Sequence, residues 1–368
     1  MSKNESREYG AILLSRQPLR PNSHTPWVKN TVAAIKWLRQ RDMGVVSSCG
    51  MQTWELVTSL ASIHDLPIKL VVPAPEIPSS VRRDCLSQFR LEDSSTEFLA
   101  PNSADGQERP DLRKSRDLKV IAESDLLIPV SIRESGSLSD ILCSDSMARK
   151  RRVEGFQCRY DAESSSGVVC VEQSLNPEIH TLDDKYLFHW TRGTNAAWPD
   201  ERKVDLYRDV MASTEWPRSG YDTLRRILES RRIIGSGKRV QGGGAVVSFS
   251  GLAPARVIPL MKWRARYHQM SFEPYAIGVK TELAHKLGIL PVQYYDRTKT
   301  RPPDNEDQWQ WQSAGQKTDW QQEDEYRHKS DFDFSRINPE DIRVICLNRT
   351  QAQGLRCNFP YPVTAMTT

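Results

Sequence analysis

Long apolar runs are missing from this chain: no stretch approaches the ~20 consecutive apolar residues that a membrane-spanning helix needs. No charged-then-apolar leader opens it, so the chain reads as cytoplasmic, with no membrane partner. Cysteine is sparse. The seven, at positions 49, 85, 143, 158, 170, 346 and 357, are scattered, odd in number and without a Cys-x-x-Cys pair. That excludes a disulfide framework and a thiolate zinc site as organising features, and no metal site is expected. A strong charge bias is absent too: a formal charge of +4 does not by itself call for nucleic acid. Internal repeats are also lacking.

What is present is the texture of a globular protein. Apolar residues make up 38% of the chain and charged residues 27%, and 368 residues exceed one ordinary core, which predicts two domains. The first half alternates. Apolar segments at 9–16, 44–50, 68–73 and 125–132 read as buried strands, while 30–41, with Val32, Ile35 and Leu38 at helical spacing and Asn30 as cap, and 51–65 read as helices. A β-α-β-α-β order predicts a parallel sheet flanked by helices. Residues 91–111 are polar and turn-rich, and 144–167 are charged and Ser-rich, including "RKRR" at 149–152. The boundary therefore falls there: 1–150 as the first domain, 151–180 as linker and 181–368 as the second domain.

The second half has more strand candidates than helices: "KYLFHW" from 185, "AVVSFS" at 245–250, "YAIGVK" at 275–280, "PVQYYD" at 291–296 and "IRVICL" at 342–347. The clearest helix is 221–232, with Leu224, Ile227 and Leu228 on one face. An α+β domain is expected, and the polar segment 297–322, carrying Trp309, Trp311 and Trp320, reads as a long loop or insertion.

In a parallel α/β sheet, ligands sit beyond the carboxyl ends of the strands. Those ends here are Ser15-Arg16, Ser47-Ser48-Cys49-Gly50 and Arg133-Glu134-Ser135-Gly136-Ser137. Hydroxyls and glycine before a helix N-terminus leave room and free N–H groups for a phosphate. The segments "GVVSSCGMQTWELVTSLASIHDLPIKLVVP" and "SRDLKVIAESDLLIPVSIRESGSL" resemble the SLOG superfamily of Rossmann-like nucleotide-binding domains, which includes the DNA-processing protein A fold and lysine-decarboxylase-like phosphoribohydrolases. The family's paired glycines are Ser-Cys-Gly here, and its hydrolytic Gly-Gly-x-Gly-Thr loop is replaced by "ESGSLSD", which favours sensing or binding over hydrolysis. The resemblance implies a nucleotide or nucleotide-derived signal touching Arg16, Ser48, Gly50, Glu55, Arg133, Gly136 and Ser137.

Two glycine-rich segments of the second half are decoys. "GSGKR" at 235–239 has Arg232 and Arg239 where a P-loop needs Gly and Ser/Thr, and no helix follows "QGGG" at 241–244. Three other pieces form an ordered set. "LFHWTRG" supplies His189, Thr191 and Arg192; "VVSFSG" supplies Ser248 and Ser250, two apart and so on one strand face; "EDEYR" supplies Glu323 and Glu325. With "YAIGVKTELAHKLGILPVQYYD" and "PEDIRVI", this order resembles the mono-ADP-ribosyltransferase fold, closest in texture to bacterial abortive-infection and phage-defence proteins.

The resemblance spans roughly 185–350 and implies an effector that uses NAD. Glu325 would hold the ribose 2′-hydroxyl and stabilise an oxocarbenium-like centre, and Glu323 would orient or deprotonate the acceptor. Arg192 suits the pyrophosphate or a ribose, His189 a ribose, and either of the two fits the first-motif role. Ser248 would support the glutamate, with Thr191 and Ser250 lining the cofactor; Tyr275 or Tyr326 would stack on the nicotinamide. The acceptor is a protein, a nucleic acid or water; the last makes the chain an NAD glycohydrolase. A catalytically silent nucleotide-sensing module, and a homo-oligomer, also fit the sequence.

Overall fold

The computed structural model describes residues 7–74, 76–101, 109–144, 149–161, 174–237, 240, 243–265, 268–296, 308–314 and 320–368. The chain falls into two compact units, 1–165 with 196–217, and 166–195 with 218–368. Among the described residues no helix is long and apolar enough to cross a membrane.

The first unit is α/β. Strands β1 (Tyr9–Leu14), β2 (Gly44–Ser48), β3 (Ile68–Val71), β4 (Thr96–Leu99), β5 (Leu126–Ser131) and β6 (Arg151–Arg152) form one sheet in the order β4-β3-β2-β1-β5-β6. Every ladder in it is parallel. Helices α1 (Pro26–Arg39), α2 (Gln52–Ile63), α3 (Ser79–Phe89), α4 (Arg109–Ala122) and α5 (Ser137–Leu142) connect the strands. Successive β1 residues feed opposite cores: Ile12 and Leu14 pack with Ile35, Leu38 and Leu60, while Ala11 and Leu13 pack with Val120, Ile121 and Leu138. Cover on both faces is why these strands read as continuous apolar runs.

Several elements differ from expectation. Helix α1 begins at Pro26, because proline suits the first helical turn, so Asn30 lies inside the helix rather than capping it. Its Nδ2 instead donates to the Phe156 carbonyl at 2.9 Å. The polar stretch 91–111 contains β4, and "RKRR" contributes β6; both are edge strands, where one free side tolerates polar and charged residues. Helix α6 (Lys203–Ala212) belongs to the first unit although it follows the expected boundary. Leu206, Tyr207, Val210 and Trp216 enter the core that holds α2. Lys203 Nζ lies 2.6 Å from Glu55 Oε1, and the Tyr207 hydroxyl donates to Glu55 Oε2 at 3.2 Å.

The second unit is built on a seven-stranded mixed sheet, order β13-β16-β9-β7-β12-β18-β19. Its strands are β7 (Tyr186–Thr191), β9 (Val246–Ser250), β12 (Tyr275–Lys280), β13 (Leu290–Pro291), β16 (Glu325–Lys329), β18 (Ile342–Cys346) and β19 (Val363–Ala365). All its pairings are antiparallel except β18 with β19. Short pairs decorate it: β8 (Arg232–Ile233) with β17 (Phe332–Asp333), β10 (Trp263–Arg264) with β11 (Gln269–Met270), and β14 (Gln293–Tyr295) with β15 (Trp311–Ser313). Helices α7 (Gly220–Ser230), α8 (Pro254–Val257), α9 (Thr281–Lys286) and α10 (Arg349–Asn358) complete the unit. Leu187, Phe249, Ile277 and Val344 share a core with α7 and α10, whereas Phe188, Trp190, Ala276 and Ile345 share another with Ile179 and Val257.

Helix α7 opens on a capping box in which Ser219 and Asp222 satisfy each other's backbone N–H groups. At its first residue a Cβ on Gly220 would stand 2.2 Å from Glu273 Oε2 and 2.5 Å from the Tyr275 ring. Gly220→Ala is therefore expected to destabilise the protein by about 1–3 kcal/mol, the usual cost of overpacking. Thermal unfolding checks this; an unchanged midpoint contradicts the packing.

Candidate active site

Strand β16 runs antiparallel along β9 with Glu325 opposite Ser250 and Arg327 opposite Ser248. Opposed residues share a face, so two hydroxyls, a carboxylate and a guanidinium meet there. Ser248 Oγ donates to Glu325 Oε1 at 2.8 Å. Arg327, only 4% exposed, grips the same carboxylate through Nε to Oε1 at 2.8 Å and one NH2 to Oε2 at 3.1 Å. Two more of its donors reach the Trp309 carbonyl at 2.8 Å and Gln312 Oε1 at 2.9 Å. A carboxylate offers about four acceptor positions. Arg327 takes two and Ser248 one, which leaves Glu325 Oε2 able to accept one further hydrogen bond.

Glu323 lies just before the strand, in a short 3₁₀ turn (Trp320–Glu323). Ser250 Oγ donates to its backbone carbonyl at 2.7 Å and accepts from the Leu252 N–H at 3.2 Å, which fixes the approach to Glu325. Burial pushes the Glu323 carboxyl up to about 7, the Glu325 charge adds to the rise, and Arg264 and Arg192 oppose it. A carboxyl in that range exchanges its proton at neutral pH, as a general acid or base must.

Arg192, past the end of β7, donates to the Ser271 carbonyl at 2.8 Å. The loop beside it is held by buried Glu273, whose Oε2 accepts from the Gly193 N–H at 3.1 Å. His189 Nδ1 lies 2.9 Å from the Ser248 carbonyl. A carbonyl only accepts, so Nδ1 carries the proton and Nε2 is left as an acceptor. Desolvation pushes this imidazole down to about 4; the Ser248 carbonyl opposes the fall and the Arg192 charge deepens it. His189 is thus neutral near pH 7. Its ring meets Phe249 edge-on at 5.9 Å, so it faces a different core from Phe188, which is paired with Ser250. Thr191 is buried opposite Tyr275.

The two tyrosines expected to stack on a ligand are placed otherwise. Tyr275 is 4% exposed, part of the α7 core, and its hydroxyl accepts from Gln351 Nε2 at 3.3 Å. Burial pushes its phenol up to about 12. Tyr326 alternates with Glu325 along β16, so it points to the opposite face, where its ring meets His285 at 5.9 Å. The aromatic beside the two glutamates is Tyr294 of β14: burial and the charges of Glu325 and Glu323 raise its phenol far above the ordinary value. Nothing in "PVQYYD" singles it out. The partners of Arg327 were also missed, because Trp309 and Gln312 lie in a segment read as loop, of which 297–307 and 315–319 fall outside the described residues. The decoy residues Lys238, Arg239, Gln241 and Gly242 lie outside them as well.

In the first unit the strand order reverses between β1 and β5, the point where such sheets bind ligands. Exposed Arg16 and Arg133 follow these two strands, and the Arg133 N–H donates to Ser15 Oγ at 2.9 Å. Gly50 has φ +81° and open space where a Cβ would stand, while Gly136 and exposed Ser137 begin α5. Ser48 and Glu55 are committed elsewhere. Ser48 Oγ is buried and donates to the Val71 carbonyl at 2.6 Å, tying β2 to β3. Glu55 binds Lys203 and Tyr207 and anchors α6. These two are therefore corrected to structural roles.

No protein-family model matches the chain, and neither the curated proteins nor the solved structures contain a match.

Arg327→Ala is expected to cost about 3–5 kcal/mol, because it leaves the half-buried Glu325 carboxylate without its guanidinium and strips the buried Trp309 carbonyl and Gln312 of their donor; an unfolding midpoint in denaturant close to wild type contradicts the clamp. Glu323 supplies a second expectation. Its folded pKa is raised above its unfolded value, so its contribution to stability is present at low pH and is lost as pH rises from about 4.5 to about 7. Glu323→Gln is therefore expected to be the more stable protein at pH 8, by on the order of 1–3 kcal/mol, with the difference shrinking below pH 5. A pH-independent difference in unfolding free energy rules this out.

Proposed function

We propose that this chain is a bacterial stress or phage-defence effector whose second unit has an ADP-ribosyltransferase-like fold and uses NAD. In the same reading the first unit is a Rossmann-like domain of SLOG type that takes a nucleotide-derived ligand, with Arg16, Gly50, Arg133, Gly136 and Ser137 as its contacts. The observation that carries the proposal is the assembly around Glu325. Its carboxylate is fixed by Ser248 and Arg327 with one acceptor position free, and Glu323, which feels the charges of both Glu325 and Arg192, is its neighbour.

The chemistry follows from those placements. When the bond between nicotinamide and ribose breaks, its electron pair leaves with nicotinamide and positive charge develops at the ribose carbon. Glu325 accepts a hydrogen bond from the 2′-hydroxyl and stabilises that charge. Arg192 pairs with the pyrophosphate. Glu323 takes the proton of the attacking acceptor, a protein or nucleic-acid group or water, as the new bond to ribose forms. Tyr294 takes the place first expected for Tyr275 or Tyr326 beside the nicotinamide.

One observation favours a second reading, a non-catalytic binding module. The Arg327 guanidinium offsets part of the negative field that a cationic transition state needs.

Nicotinamide release from labelled NAD separates the readings. Glu325→Gln is expected to lower it by about 10²-fold or more. Equal release by wild type and variant overturns the catalytic assignment, and NAD binding without release selects the binding module. Label retained on protein or nucleic acid identifies a transferase; free labelled ADP-ribose identifies a glycohydrolase. Arg192→Ala is expected to weaken NAD binding about tenfold or more, and His189→Ala less, because Arg192 acts directly on Glu323. The reverse order gives the first-motif role to His189.

A further inference from the structure

The strongest concentration of unassigned chemistry lies in the first unit, at the edge of the sheet opposite the strand carboxyl ends. A cavity of about 500 Å³ opens there between the end of α1 and the edge strand β6. Trp37, Arg41, Met43, Leu126, Arg151 and Arg152 line it, together with Glu8. Its volume suits a small organic group. Two features give it a preference. The Arg41 guanidinium lies over the Trp37 ring, 3.9 Å from its centre, and Phe156 meets the same ring edge-on at 6.1 Å. This is a preformed stack whose outermost member is an exposed guanidinium. Unpaired bases stack on such planes as they do on aromatic rings.

The second feature is the reach of positive charge. Arg151 and Arg152 form β6, with Arg149 and Lys150 immediately before it, and Lys36 and Arg39 stand on the last turns of α1. Acidic groups beside this set include Glu8, 2.8 Å from Arg151, and Asp42, 3.2 Å from Arg7. Part of the set is spent on the fold: Lys150 Nζ donates to the Ser124 carbonyl, and Arg152 donates to the Leu142 carbonyl. Of the cations that remain, Arg41 in the cavity wall and Arg149 just before β6 are exposed, and Lys36 and Arg39, also exposed, stand toward His64 instead. A chain of phosphates would meet more of the Arg41, Arg149 and Arg151 guanidiniums than a single nucleotide would.

We infer that the Trp37–Arg41 stack and the Arg149–Arg152 edge form a binding site for single-stranded nucleic acid, with one base stacked on Arg41 and neighbouring phosphates on the arginines of that edge. The site is separate from the NAD chemistry proposed above and does not depend on it. A duplex is disfavoured because its bases are already stacked on one another.

The test is fluorescence anisotropy of a fluorescein-labelled oligo(dT) titrated with the full chain at increasing NaCl. Binding is expected at low salt, with log affinity falling linearly against log salt by roughly 0.7 per phosphate neutralised. Arg41→Ala and Arg151→Glu are each expected to weaken binding about tenfold or more, and Arg41→Lys, which keeps the charge but loses the plane, also weakens it. Both residues are exposed, so melting temperatures close to wild type are expected and confirm that the variants are folded. Four results would each overturn the inference: no binding at low salt, wild-type affinity in the Arg41 and Arg151 variants, equal affinity for duplex DNA or inorganic polyphosphate, or displacement by thymidine monophosphate at the same phosphate concentration.

Discussion

A buried guanidinium governs the geometry of the second unit's candidate site. Arg327 joins a carboxylate two residues earlier on its own strand to a backbone carbonyl and a glutamine side chain from the 308–313 segment. Burying such a charge is costly, and four hydrogen bonds to Glu325, Trp309 and Gln312 offset the cost. The result is a Glu325 that cannot change rotamer without breaking the Arg327 and Ser248 bonds. The same contacts give the tryptophan-bearing segment a defined place beside β16.

Register does the rest. Because Glu325 lies opposite Ser250 and Arg327 opposite Ser248, a one-residue slip would send the carboxylate to the face that carries Tyr326. Glu323, held by Ser250 through its backbone, brings a second carboxyl close to the first. Burial and the Glu325 charge together raise the Glu323 carboxyl, against the opposing charges of Arg264 and Arg192. This pairing of one fixed charge with one titrating group is what a transfer or hydrolysis reaction at a glycosidic carbon requires. It is also why the NAD proposal rests on the two glutamates rather than on any single motif.

Much of this was legible in the sequence. The order β-α-β-α-β of the first half follows from buried apolar runs separated by helical spacing, since a parallel sheet covered on both faces has no polar side. The Ser-x-Ser spacing showed which residues share a strand face, whereas Glu323 ends a 3₁₀ turn before β16 and does not share a strand face with Glu325. Other features were hidden for physical reasons. Edge strands β4 and β6 are polar because one side pairs with nothing. Helix α6 looked like part of the second half because chain order does not reveal that Tyr207 and Lys203 reach Glu55. Tyr294 and the Arg327 partners depend on how distant segments meet. Tyr275 and Tyr326 were misplaced because a strand aromatic beside a polar motif looks the same whether it faces the core or the site.

The proposal makes Arg192, Ser248, Glu323 and Glu325 one NAD site. Hydrogen–deuterium exchange with and without an NAD analogue whose nicotinamide bond does not break tests it most directly. Protection is expected in residues 186–192, 246–250 and 323–329 together, with loss of that protection in Arg192→Ala. Protection confined to residues 9–142, or none anywhere at saturating analogue, would contradict it.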